Sequence, residues 1–268
     1  MKKLWAVLIA AAALLLLGLA VAGWYVFSVF LSQGRLLAKP PSHGIQYVLA
    51  LQIDEGVNTT NATALLREIL RKRFARHGAR IYFEPLSSAR VQVVATLKGP
   101  PELLLGEALI TRRGLLEFRF AHDESENLMQ DGLKPTGYEV LERVSTNATH
   151  GERAEKLLVR KKAEPGLSGD LVRSAIVLRN KGGNPEVCIQ LKPASTDAFK
   201  RTTQENIGRR LAIVIDGKLI SAPRIQTMIP SGKAKLTGGL DQLECRELAA
   251  VLESPLPMAI TIVESKQF

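Results

Sequence analysis

From Leu4 to Leu31 the chain runs 28 residues without an Asp, Glu, Lys, Arg or His. Wound as a helix at about 1.5 Å per residue, such a run exceeds the roughly 30 Å hydrocarbon slab of a bilayer. Trp5 and Trp24 lie 19 residues apart, about 28 Å along a helix, a spacing that sets indoles at both membrane interfaces. Lys2 and Lys3 precede the run, and retained positive charge keeps that end cytoplasmic and sends the rest of the chain across. A cleavable signal peptide is the competing assignment, since Ala20-Val21-Ala22 offers small residues before Gly23. The apolar run continues through Leu31, which favours an uncleaved anchor.

The rest of the 268 residues reads as an exported folded region. Hydrophobic residues make up 46%, and only two cysteines occur, which excludes a disulfide scaffold, a cysteine zinc cluster and a disordered polyelectrolyte. Pro40-Pro41 stiffens a short linker. Ile45, Tyr47, Leu49, Leu51 and Ile53 then alternate with other residues, the period of a half-buried strand. Ala62, Leu66, Ile69, Leu70 and Phe74 recur at helical spacing before Gly78. Strands are expected at Arg80–Glu84 and Arg90–Leu97, a second helix from Pro100-Pro101 to Gly114, and a fourth strand at Leu116, Phe118 and Phe120. This order is that of a split βαβ, ferredoxin-like unit.

Weaker strands are expected near Tyr138–Val144 and Glu155–Lys161. A hairpin follows across Lys181-Gly182-Gly183-Asn184, then a helix over Ser195–Ile207. Asp216-Gly217 supplies the positive φ of a tight primed turn between Arg209–Asp216 and Lys218–Gln226. Asp241 with Glu244 makes a capping box, and Cys245, Leu248, Ala249 and Leu252 form one apolar stripe. A last strand through Met258, Ile260 and Ile262 is expected to return to the first sheet. The fold class is therefore α+β: a transmembrane helix, then a ferredoxin-like βαββαβ base carrying an inserted α+β head. The expected boundaries are residues 1–34 for the cytoplasmic tip and anchor, 35–44 for the linker, 45–122 and 239–268 for the base, and 123–238 for the head.

Chemistry is scarce in this sequence. His43, His77, His122 and His150 lack the spacing that places two imidazoles on one helical metal face and are expected as scattered surface residues. No nucleophile elbow, phosphate loop or zinc-protease motif occurs. The chain is accordingly expected to be neither an enzyme nor a holder of a cofactor or metal. Cys245 belongs to an apolar stripe, and whether Cys188 pairs with it is left open. The formal net charge is +10, and Arg67, Arg71, Lys72, Arg73 and Arg76 crowd one helix. The run reads first as a solvated helical face; export separates it from nucleic acid, which leaves anionic lipid as the candidate partner of a lipid-facing surface.

The stretch Arg209–Pro223, RRLAIVIDGKLISAP, resembles the signature hairpin in the first periplasmic domain of SecD, a subunit of the bacterial Sec protein-translocation machinery. The resemblance extends upstream over Val187–Gly208, downstream over Lys233–Ser265, and to the strand Gly114–Phe120, GLLEFRF. It implies a ferredoxin-like base with an inserted head that contacts emerging preprotein, and it makes Arg209, Arg210, Asp216, Gly217, Ser221 and Pro223 structural residues of the head. The family carries a Gly-Leu-Asp-Leu-x-Gly-Gly run after its first span, where Pro41–Tyr47 here keeps one glycine. It also continues into five further transmembrane helices, whereas this sequence stops at Phe268.

The resulting expectation is a single-span, SecD-like accessory protein of the bacterial inner membrane, its N-terminus cytoplasmic and its bulk periplasmic or extracellular. It would bind unfolded exported polypeptide without proton-conducting helices of its own, because the span Leu4–Leu31 offers no intramembrane carboxylate or guanidinium. Expected partners are Sec translocon components, a separately encoded multi-span SecD- or SecF-like protein, and membrane lipids. The alternative is a diverged envelope scaffold that keeps the fold without a translocation role.

Overall fold

The computed structural model describes residues 44–52, 59–87, 89–96, 107–147, 151–237 and 239–267. The expected span Leu4–Leu31, the linker, His43 and His150 lie outside these residues. Among those described, no helix is long and apolar enough to cross a membrane.

Strand β1 (Gly44–Gln52) buries Tyr47, Leu49 and Leu51 and leaves the residues between them half-buried, as their alternation demands. Helix α1 (Thr59–Ala75) lays Leu66, Ile69, Leu70 and Phe74 on the same core. Strands β2 (Arg80–Pro85) and β3 (Arg90–Thr96) complete a hairpin whose Val91, Val93 and Ala95 are fully buried. The C-terminal strand β13 (Ala259–Gln267) returns to this sheet, giving the antiparallel order β13-β1-β3-β2.

One strand falls elsewhere than expected. Strand β4 (Leu116–Phe120) does not join the first sheet; β13 occupies that position. After the short helix α2 (Ala108–Thr111), Gly114 at φ +80° turns the chain away. A side chain at Gly114 would meet the Val251 carbonyl oxygen at 2.4 Å, so only glycine fits the turn. Leu116, Phe118 and Phe120 then enter a second core.

That core lies between two further sheets, and a third covers a smaller cluster beside it. Strand β4 pairs with β10 (Leu211–Ile215), which pairs with β11 (Lys218–Ser221), and the two-residue β7 (Ser168–Gly169) closes the other side. Strands β8 (Val172–Arg179), β9 (Pro185–Leu191) and β12 (Lys233–Leu236) form a three-stranded sheet in the order β12-β9-β8. A hairpin of β5 (Tyr138–Asn147) and β6 (Gly151–Arg160) is longer than the weak strands its charge-rich sequence suggests. Helix α3 (Ser125–Gln130) precedes it, and α4 (Pro193–Glu205) packs Ala198 and Phe199 into the second core.

Helix α5 (Gln242–Glu253) serves both cores. Its capping box is present as expected: the Glu244 N–H donates to Asp241 Oδ1 and the Asp241 N–H to Glu244 Oε2, each at 2.7 Å. Cys245, Leu248, Ala249 and Leu252 face the head core, while Ala250 and Val251 face the base core. Both cysteines are free, and burial pushes the Cys245 thiol up to about 11, which keeps it protonated and unreactive.

Candidate functional site

The hairpin β10–β11 is the centre from which the head is assembled. Asp216 and Gly217 have φ of +51° and +76°, the left-handed pair that a two-residue primed turn requires. Asp216 also reaches across to the chain's exit from the base. Its carboxylate accepts the Leu115 N–H at 2.9 Å and the Gly114 N–H at 3.1 Å, and Arg112 Nε lies 3.6 Å away. The hairpin tip thus fixes the point where the chain leaves the first sheet for the second.

The other signature residues hold the strand flanks. Arg209 lies over the Phe120 ring at 4.4 Å and donates to Asn206 Oδ1 at 3.0 Å. Arg210 donates from Nε to the Ala222 carbonyl at 3.0 Å and pairs with Glu155 on β6. Burial alone would raise the Glu155 carboxyl, but Arg210, seconded by Arg143, outweighs it and holds the group below its usual range. Pro223 accepts the Leu211 N–H, and Ile225 exchanges backbone bonds with Gly208 and Arg209, so the hairpin ladder continues past β11. Ser221 is buried, its Oγ without a hydrogen-bond partner.

Beside this ladder opens a cleft of about 480 Å³. Phe118, Phe199, Leu211 and Ile213 floor it. One wall is the segment Pro223–Ile229 and the other is β12, whose consecutive residues Lys233, Ala234 and Lys235 all border the opening. Neighbours in a strand point to opposite faces, so what fronts the cleft is the edge of β12, which pairs with β9 on its other side. Arg224 and Lys233 make the rim cationic, Lys235 being paired with Glu186 at 2.7 Å, and no acidic residue lines it among the described residues. Sequence reasoning missed this cleft. The Lys-Ala-Lys alternation of a short strand was its signal, since charges on a strand commonly mark an unpaired edge.

The basic helix departs from expectation. Arg67, Arg71 and Lys72 are exposed, but Arg73 is fully buried. Its guanidinium donates to the carbonyls of Ser254 (2.8 Å), Leu109 (2.7 Å), Arg112 (2.8 Å) and Arg113 (3.3 Å). These lie where α2 and α5 end, so one cation satisfies carbonyls that two helix termini leave open. Arg76 is tied to Glu253 at 3.0 Å and to the Ala175 carbonyl at 3.0 Å. A lipid-facing role is therefore corrected for Arg73, which is inside the protein, and narrowed for Arg76, which bridges base to head.

Among the described residues no group of His, Cys, Asp and Glu is placed to hold a metal ion. His122 stacks edge-on against Tyr138, with ring centroids 4.9 Å apart. His77, expected at the surface, instead has a buried Nε2 without a hydrogen-bond partner.

Comparison with known proteins finds SecD and SecDF relatives. Residues 142–258 match the family model described as SecDF, P1 head subdomain. The chain is 30% identical over 203 residues to the protein translocase subunit SecD of Magnetococcus marinus, covering 74% of this chain and 38% of that protein. It is 34% identical over 182 residues to SecD of Desulfurispirillum indicum, covering 65% and 35%. The chain thus spans little more than a third of the length of these relatives. A solved structure titled as SecDF, a membrane component that enhances protein export, aligns at TM-score 0.55 and 25% identity over 82% of this chain and 98% of that one. A second, SecDF in a super-membrane-facing form, shares the fold at TM-score 0.61 and 22% identity, over 93% of this chain and 35% of that one.

Proposed function

We propose, from a chain whose residues 142–258 match the SecDF P1 head and whose sequence aligns with SecD subunits, that it acts in Sec-dependent protein export by holding emerging polypeptide in the head cleft. The first sheet, with its order β13-β1-β3-β2, is read as a ferredoxin-like base. The head begins at Leu115, where Gly114 turns the chain outward, rather than at residue 123. In this reading Leu4–Leu31 anchors the protein in the bacterial inner membrane with the head on the periplasmic side. Sec translocon components and a multi-span SecD- or SecF-like protein are its partners there.

The observation that carries the reading is the cleft itself. An unpaired β12 edge offers main-chain N–H and C=O groups that any extended peptide can match, whatever its sequence. The apolar floor of Phe118, Phe199 and Ile213 accepts alternate side chains without demanding a particular one. Tolerance of this kind is what a translocase client requires.

Photocrosslinking tests it. A photoreactive residue at Gln226, exposed on the cleft wall, is expected to label a secreted protein caught in transit. The same residue at Lys156, exposed on the β5–β6 hairpin, is expected to label it weakly. Equal labelling from both positions would overturn the assignment.

A further inference from the structure

We infer that Arg76, His77 and Arg246 build a pocket for a phosphate group, inorganic or carried on a lipid headgroup, at the seam between base and head. The pocket encloses about 180 Å³ and is lined by Arg76 and His77 from the end of α1, Ala175 and Val177 from β8, and Arg246 and Ala249 from α5. Helix α1 supplies one wall, and the residues from β8 and α5 supply the other.

Its charged lining is cationic. Arg76 is held in place by Glu253 and the Ala175 carbonyl, each at 3.0 Å, which engage one N–H on each terminal nitrogen, so the free fork is that of Arg246. Arg246 is exposed and makes no salt bridge among the described residues, so the pocket is reachable and its second guanidinium lacks a counter-charge. Two guanidinium groups beside one cavity repel each other, and Glu253 is already committed to the first. Guanidinium forks match phosphate oxygens in pairs. The buried, unpartnered Nε2 of His77 supplies a further donor when it carries the proton. The electrostatics agree: burial first, then Arg246 and Arg76, lower the His77 pKa to about 4, the signature of a site already crowded with positive charge.

The full chain in a neutral detergent, titrated with inorganic phosphate and followed by calorimetry and thermal unfolding, tests the pocket. Phosphate is expected to raise the unfolding temperature where equal chloride does not. Arg246→Ala, at an exposed position, should weaken phosphate binding about tenfold or more, the effect of losing a charge-assisted contact. Arg67→Ala, exposed on the opposite side of α1, should leave binding unchanged. His77→Leu, which removes the ring donor, is a second variant that should weaken it. Vesicles separate the two sources. Binding to phosphatidic acid over phosphatidylcholine that is lost in Arg246→Ala identifies a lipid headgroup, whereas a phosphate response without vesicle preference identifies a soluble phosphate. No phosphate response in the unaltered chain, or equal losses in Arg246→Ala and Arg67→Ala, would overturn the inference.

Discussion

The base sheet and the head's central strand solve the burial problem in different ways. On β1, Tyr47, Leu49 and Leu51 face helices while Val48 and Ala50 stay half-buried, so one face carries the core. On β10 all five residues are buried. Leu211, Ile213 and Ile215 enter the main head core, and Ala212 and Val214 enter a separate cluster with Leu157, Val159 and Leu219. The difference comes from the β5–β6 hairpin, which covers the face of β10 that solvent would otherwise reach. A strand between two apolar layers must be apolar throughout, and Leu-Ala-Ile-Val-Ile is. The base tolerates change on alternate residues; the head's centre tolerates none.

A matched pair of substitutions breaks this comparison most sharply. Val214→Asp places an unpaired carboxylate in a fully buried site and is expected to cost more than about 4 kcal/mol, enough to prevent folding of the head. Val48→Asp, on the half-buried face of β1, is expected to cost about 1–2 kcal/mol, mostly through lost strand preference. Urea unfolding followed by circular dichroism measures both. Comparable losses would mean that the two sheets are layered alike.

Arg73 marks the place where the two regions meet, and its removal is the next largest effect. Arg73→Met keeps volume and apolar stem but strands the carbonyls of Leu109, Arg112 and Ser254, at an expected cost of about 3 kcal/mol. Arg71→Met, in an exposed position on the same helix, should change stability by under about 0.5 kcal/mol. Burial disfavours the Arg73 charge, and the Asp216 carboxylate supports it. Arg73→Lys therefore preserves the charge but loses the fork, and its loss should fall between the other two.

Most strands and helices were legible in the sequence because their periods are local. The alternation of β1, the Asp216-Gly217 turn and the Asp241–Glu244 box each contain their own instruction. Partner choice is not local. The alternation of Leu116, Phe118 and Phe120 shows a buried face but does not say whose sheet receives it, which is why β4 was expected in the base. Arg73 was legible in principle: it follows Leu66, Ile69 and Leu70 by seven, four and three residues and so lies on their buried stripe. The flanking run Arg71-Lys72-Arg73 overlays that spacing with charge. The cleft and the pocket around His77 are assembled from segments far apart in the chain, and no short motif announces either.

Helix α5 allows a finer test, since its residues enter both cores. Asp241→Ala removes the side-chain acceptor for the Glu244 N–H and should cost about 1 kcal/mol. Amide exchange is the informative measurement. If α5 couples the two cores, protection should fall in β3 and in β9 together. A fall confined to β9 would show that the base holds its own part of the helix independently.

The smallest expected effect is a pH dependence confined to the seam. His77 has its pKa lowered from the ordinary 6.5 to about 4 by burial and by Arg246 and Arg76. Between those values the unfolded chain binds the proton and the folded chain does not, so folding loses stability as pH falls from about 6.5 toward 4. Above pH 6.5 the imidazole is neutral in both states and this penalty is absent. Because the imidazole is partly exposed, solvent screening reduces the loss to about 1 kcal/mol. Carboxylates also titrate near the lower limit, so the quantity to read is the difference between the unaltered chain and His77→Gln across pH 7 to 5. That difference should narrow toward pH 5, as the unaltered chain alone loses the stability of a neutral imidazole, and Arg246→Ala should show a shallower slope than the unaltered chain. Parallel profiles for all three would place the imidazole in ordinary solvent contact, and the base–head seam would then be no more polarised than the open face of β1.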